Sequence, residues 1–218
     1  MVTAADGTSY LTIARDGEVE IEDRRSRFRC TLERVEDEDA ARALVERLRK
    51  QHWDARHHCS AFVIGPPPQP VERSNDDGEP AGTAGAPMLE VLRGYDGAGV
   101  SDVAAVVTRW FGGTLLGAGG LVRAYSDAVR TALDEVGTLR RELVREHTLT
   151  VAYDVAGRLE TDLRSAGVAV LHRTYAAGAT FLLGTPPAAE PRLRSLVAEL
   201  TAGAAQLVPV GERWVDRP

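Results

Sequence analysis

The chain has 218 residues, 44% of them hydrophobic and 27% charged, with a formal net charge of −6. That is apolar material enough for a core without metal or disulfide support, and length enough for one large domain or two small ones. Cys30 and Cys59 are the only cysteines, too few for a disulfide framework, which fits a reducing compartment. Met1 to Tyr10 lacks the basic stretch and apolar run of a secretion signal, and no run approaches the roughly 20 apolar residues that span a bilayer. A cytoplasmic location with no membrane partner is therefore expected. Lys50 is the only lysine, against 25 arginines. Residues 1–138 carry 23 acidic and 16 basic side chains, a net −7, and residues 139–218 carry 9 and 10, a net +1. Neither part has the basic footprint of a generic nucleic-acid binder, so any RNA contact has to be a local patch.

Glu18 to Asp23 and Ser26 to Arg34 read as strands joined by the charged turn Asp23-Arg24-Arg25. A helix is predicted from about Asp37 to Lys50, acidic in its first turn and basic in its last, with Ala41, Leu44, Val45 and Leu48 as its apolar stripe. His57 to Ile64 reads as a strand with His57, Cys59, Ala61 and Val63 on one face and His58, Ser60, Phe62 and Ile64 on the other. From Gly65 to Ala86 no periodicity is sustained, and so long a stretch is expected to be a connector (Pro66 to Pro68) followed by a binding loop after Arg73. Pro87 to Arg93 is a predicted helix, Ser101 to Thr108 a strand buried on both faces, and Leu121 to Val136 a helix closed by Gly137. Beyond it, Arg141 to Tyr153, Val168 to Arg173, Ala179 to Leu183 and Ala205 to Val210 read as strands. Ala156 to Ala166 and Pro191 to Thr201 read as helices between them. That β-α-β-β-α-β order is the ferredoxin-like split βαβ unit. The class expected is α+β, with an N-terminal extension over 1–17, a first domain over 18–138 and a second over 139–218.

Two glycine-rich stretches carry the chemistry. The first runs from Arg109-Trp110-Phe111-Gly112-Gly113 to Gly117, Gly119 and Gly120, between a strand and a helix. Glycines let backbone approach a ligand, N–H groups at a helix start favour an anion, and Arg109 and Arg123 can add charge-assisted bonds. It is neither a Walker A loop nor a dinucleotide fingerprint. The second holds Ser74, Asp76, Asp77, Gly78, Glu79, Gly82, Thr83 and Gly85. Its carboxylates could hold a divalent cation, but Asp77-Gly78 and Glu79-Pro80 are also ordinary turn chemistry, which is the reading preferred, so no metal and no cofactor is expected. Gly82, Thr83 and Gly85 could present amides to a phosphate. His57 and Cys59 share a strand face, yet Cys59 sits beside Ala61 and Val63 and reads as a core thiol, so no catalytic residue is assigned. His57 and Tyr125 are read as supporting residues. The two stretches are expected to fold against each other into one pocket that welcomes negative charge.

Ser26-Arg27-Phe28, Ala55-Arg56-His57-His58-Cys59-Ser60-Ala61, the block from Ser74 to Gly85 and the block from Arg109 to Tyr125 together resemble the YigZ/IMPACT family, over nearly the whole chain from about residue 18. Trp110 stands where the family more often has tyrosine or phenylalanine. The resemblance implies a first domain like ribosomal protein S5 domain 2 followed by a ferredoxin-like domain. Both are similar to domains of elongation factor G, which implies RNA or the ribosome as partner. Eukaryotic relatives restrain a starvation-sensing kinase through an additional N-terminal domain that this sequence is not expected to have, so that activity is not carried over. The function expected is a non-enzymatic translation-associated factor that binds RNA, the ribosome or a phosphate-bearing ligand through its glycine-rich loops. A protein partner is a further reading. The alternative is an enzyme, kinase-like or a hydrolase, on a small phosphorylated substrate, against which stands the lack of a lysine or general base placed for phosphoryl transfer.

Overall fold

Residues 7–217 are described by a computed structural model, and they fall into two units that part between Arg140 and Arg141. Residues 1–6 of the expected N-terminal extension, and Pro218, lie outside the described residues.

The first unit contains β1 (Ser9–Ile13), β2 (Gly17–Asp23), β3 (Ser26–Arg34), α1 (Glu38–Gln51), β4 (His57–Ile64) and β5 (Val71–Asn75). It continues with α2 (Gly85–Gly94), β6 (Val103–Trp110) and α3 (Gly117–Val136). Its sheet runs β2-β3-β6-β4-β5, with antiparallel pairing throughout. The central strand β6 explains its own unbroken apolar run. Val103, Ala105 and Val107 pack toward α2 and α3, while Ala104 and Val106 pack toward α1. On the α1 side, Leu44 and Leu48 meet Ile64 and Phe62, and Asp37 caps the helix by accepting the Ala40 N–H at 2.7 Å. On the other side Leu121, Tyr125, Ala128 and Val129 of α3 cover Phe28, Cys30, Cys59 and Ala61. The face assignment of β4 read from alternation is the one observed.

Several boundaries differ from expectation, among them the last strand of the chain, which runs Leu207–Arg217 rather than Ala205 to Val210. The stretch expected to lack regular structure contains β5, which pairs with β4 from Ile64↔Val71 to Ser60↔Asn75. This strand is exposed along most of its length, so no apolar alternation marks it. Helices α2 and α3 begin at Gly85 and Gly117, earlier than Pro87 and Leu121, with one glycine in the first turn of α2 and three in that of α3. Residues 9–13, read as part of an extension, form β1 and bury Tyr10 and Ile13.

The second unit comprises β7 (Thr138–Val151), most of which lies beyond Arg140, then α4 (Tyr153–Ser165), β8 (Ala169–Tyr175), β9 (Ala179–Thr185), α5 (Glu190–Leu200) and β10 (Leu207–Arg217). Its strands are ordered β10-β7-β9-β8. The ion pairs Arg141–Asp216, Arg145–Glu212, Arg213–Glu146 and Arg217–Glu142 run in opposite senses along β7 and β10, as an antiparallel pair requires. Leu149, Phe181 and Leu183 of the sheet pack against Leu159 and Leu163 of α4 and Leu193 and Val197 of α5. The whole is a mixed α/β chain with two sheets and, among the described residues, five α-helices, none long and apolar enough to cross a membrane.

Candidate functional site

Strand pairing sets Phe28, Arg109 and His57 side by side at one end of the first sheet. Glu79 reaches this row from the Asp-Gly-Glu-Pro turn. Its Oε1 accepts from Arg109 Nη1 at 2.5 Å and from the Tyr125 hydroxyl at 2.9 Å. The side chains of Arg109 and Glu79 are only 7% and 4% exposed. The Cys59 thiol lies 3.3 Å from the Tyr125 hydroxyl and 3.0 Å from the Asp76 carbonyl. The Tyr125 ring meets Phe28 edge to face at 5.3 Å, and His57 Nε2 stands 3.9 Å from Glu79. Burial, ahead of the neighbouring acids, pushes the Cys59 thiol up to about 12, so it stays protonated and inert near neutral pH. The Tyr125 hydroxyl is raised too, first by burial and then by its Cys59 and Glu79 neighbours.

This corrects the expected role of Arg109. Its guanidinium does not face an open pocket. It is matched by Glu79 and lies 5.3 Å from the centre of the Phe28 ring. The two glycine-rich stretches do meet, but through a buried ionic and hydroxyl network rather than across an open anion site.

The amides of the second stretch are likewise taken. Asp76 Oδ2 accepts the Gly82 N–H at 2.8 Å, and its Oδ1 accepts those of Ala84 at 3.1 Å and Gly85 at 2.8 Å. The carboxylate thus sits where a phosphate was expected, and Thr83 turns its hydroxyl to the Pro80 carbonyl at 2.6 Å. Asp77 accepts the His58 N–H at 2.6 Å and Arg49 at 2.9 Å, while its own carbonyl meets His57 Nδ1 at 2.8 Å and Gly78 follows in the turn. Asp76, Asp77 and Glu79 therefore serve three separate donor sets. Among the described residues no group of three or more His, Cys, Asp or Glu could hold a metal ion.

Burial raises the Asp76 pKa, but the amides of Gly82, Gly85 and Ala84 outweigh it, and the group is held below its ordinary 3.8. A depressed carboxyl contributes stability above its unfolded value, about pH 4, and loses it as pH falls through the folded one. Asp76→Asn, the isostere of the protonated acid, is expected to cost about 1–2 kcal/mol at pH 7. The gap to the parent protein should close below about pH 4, read by denaturant unfolding across pH. A gap independent of pH would overturn the capping role.

The exposed part of the site lies around the first glycine stretch. Gly112 donates its N–H to Ser26 Oγ at 3.1 Å, and Phe111, Gly113, Thr114 and Leu115 are exposed beyond it. Gly117, Gly119 and Gly120 form the first turn of α3, which places Arg123 in the second turn rather than the first. Arg24, whose Nη1 reaches the Leu115 carbonyl at 3.4 Å, and Arg25, Arg56 and Arg123 are all exposed. None of the four has a carboxylate partner among the described residues. Arg27 and Arg29, by contrast, share Glu20 and lie over the Trp110 ring. Sequence reasoning selected Arg123 and passed over Arg24, Arg25 and Arg56; the Arg24-Arg25 turn was the available signal. Ser74 is not brought to the site. It lines a cavity of about 470 Å³ beside α1 with Glu38, Arg42 and Arg49. Of the expected residues only Gly82 lines the groove of about 960 Å³ between α2 and α3, with Pro87, Val122 and Ser126.

Residues 24–133 match the family model of the Impact N-terminal domain, and residues 149–204 match a Domain of unknown function (DUF1949). The chain is 38% identical over 205 residues to the Escherichia coli protein "IMPACT family member YigZ", covering 94% of this chain and 99% of that one. The chain belongs to the IMPACT family. "IMPACT family member YvyE" of Bacillus subtilis is 46% identical over 158 residues, 72% of this chain and 71% of the relative. "Protein IMPACT-B" of Xenopus tropicalis is 34% identical over 117 residues, 52% of this chain and 35% of that protein. A solved structure, "Crystal structure of an hypothetical protein", superposes with a TM-score of 0.63 at 38% identity, covering 94% of this chain and 98% of that one. In this IMPACT-family chain the Impact N-terminal match contains both glycine-rich stretches, the Glu79 network and all four unpaired arginines.

Proposed function

We propose that this IMPACT-family chain is a non-enzymatic, translation-associated factor of the cytoplasm. It binds RNA, free or on the ribosome, through the exposed arginines and glycine loop of its first unit. One observation carries the reading. In a chain of net charge −6, Arg24, Arg25, Arg56 and Arg123 stand exposed, without carboxylate partners among the described residues, on the segments around residues 112–123. Some nearby acids are spent internally, Glu79 on Arg109 and Glu20 on Arg27 and Arg29, while Glu22 and Asp54, the latter bonded to the neutral Trp110 indole, stay exposed. The four arginines outnumber Glu22 and Asp54, a local excess of positive charge of the kind phosphate recognition uses. Arg123, Gly113, Gly117 and Gly119 are the contact residues in this reading, while Asp76, Glu79, Arg109, Tyr125 and His57 hold the loops in place.

The domain assignment belongs to the same proposal: an S5 domain 2-like domain over 18–138 and a ferredoxin-like domain over 139–218. The β-α-β-β-α-β order and the β10-β7-β9-β8 sheet support the second.

Fluorescence anisotropy with labelled RNA tests the function. Arg123→Ala and Arg56→Ala are each expected to weaken binding across sequences and to lower the salt slope by about 1 per lost phosphate contact. Stability should stay within about 0.5 kcal/mol, since both side chains are exposed. Affinity unchanged across a salt titration would sink the reading. A saturable thermal upshift with ATP and Mg²⁺ but none with RNA would favour the enzyme alternative instead.

A further inference from the structure

Phe111 follows directly on Trp110, the last residue of β6, which pairs with Arg27 of β3. It is 39% exposed at the mouth of the loop. The Arg56 guanidinium lies 5.6 Å from its centre and that of Arg109 lies 5.8 Å away. Gly112 and Gly113 follow immediately, and Gly113 takes φ +87° with nothing within 4 Å of where a Cβ would stand. Leu115 is 81% exposed in the same loop. A second open ring, Trp53 at 82% exposure, lies in the segment whose Asp54 holds the Trp110 indole at 2.9 Å. An exposed ring thus stands beside the unpaired Arg56, at a loop whose Gly113 leaves open space next to it.

We infer that the RNA bound here is unpaired, and that Phe111 is a stacking platform for one base while Arg56, Arg24 and Arg25 hold the phosphates flanking it. This rests on the RNA-binding reading and narrows it. A duplex keeps its bases stacked on one another, and the deep, narrow major groove of A-form RNA shuts side chains out, so a duplex would use the arginines and leave Phe111 in water. A single strand offers each base face to an aromatic ring, and such stacking contributes about 1–3 kcal/mol per base by alanine substitution. The loop has Gly113 open directly beyond the ring, which leaves room for a splayed base to reach it.

The test is anisotropy with a 20-nucleotide unstructured RNA and with the same strand annealed to its complement, for the parent protein, Phe111→Ala, Phe111→Trp and Arg56→Ala. The parent should prefer the single strand. Phe111→Ala should lose about tenfold on the single strand and less than twofold on the duplex, Phe111→Trp should keep the affinity, and Arg56→Ala should weaken both. Melting temperatures of all variants are measured alongside, since Phe111 is open enough to change without unfolding the unit. Salt-dependent binding of both RNAs with no selective loss in Phe111→Ala would overturn the stacking inference and leave the RNA reading standing. Failure of the parent protein to bind either RNA would overturn both.

Discussion

Glu79→Gln is expected to lower the stability of the first unit by about 3–5 kcal/mol, the cost of stranding one member of a buried ion pair. Among the described residues the carboxylate is the only acid matched to Arg109, both side chains are almost wholly buried, and Arg109 Nε already lacks a hydrogen-bond partner. Removing the negative charge leaves a guanidinium in low dielectric with nothing to offset its desolvation, and weakens the acceptor for the Tyr125 hydroxyl. Arg109→Met should cost a similar amount, and the double variant clearly less than the two single costs added, because the two charges then leave together. In a chain of this size each kcal/mol moves the melting temperature by about 2–4 °C, so calorimetry should show a drop of roughly 6–20 °C for either single variant. A Glu79→Gln protein within about 1 kcal/mol of the parent would show that the pair is open to water and that Glu79 is free to meet a ligand.

Gly112→Ala is expected to cost about 3 kcal/mol, for steric rather than electrostatic reasons. A Cβ at Gly112 would fall 2.0 Å from the Arg25 carbonyl carbon, 2.1 Å from its oxygen and 2.4 Å from the Ser26 nitrogen. All three are backbone atoms of the β2–β3 turn, so no side chain can swing aside. The turn or the end of β6 has to move, and the Gly112 N–H to Ser26 Oγ bond goes with it. Gly119→Ala is the control: it lies in the first turn of α3 with nothing near its Cβ position, and alanine there should be neutral or stabilise by up to about 1 kcal/mol. Equal effects of the two substitutions in urea melts would contradict this division of the glycines into packing and solvent-facing ones.

Local pattern made much of this legible. The two-sided burial of β6 is written in Val103 to Val107, the capped helix α1 in Asp37 and its apolar stripe, and the alternating faces of β4 in Cys59, Ala61 and Val63. Strand β5 was not legible, because an exposed edge strand carries no apolar period and exists only through its pairing with β4. The start of α3 was missed for a related reason: glycine signals a turn by propensity, and tertiary packing kept four residues of such a run helical.

By itself the amino-acid sequence determined most of the helices and strands, β1 and β5 excepted, and the side chains and glycines that two stretches bring to one end of the first sheet. Only the tertiary structure decided which charges are available. Arg109 and Arg123 look alike along the chain, yet one is folded onto Glu79 and the other faces water. Asp76 looks like a ligand to something external, yet it closes on the amides of Gly82, Ala84 and Gly85. The reason is physical. Backbone periodicity is a short-range property that local sequence records, whereas the fate of a charge depends on which groups, 30 residues away in the case of Glu79 and Arg109, the fold brings within bonding distance and shields from solvent.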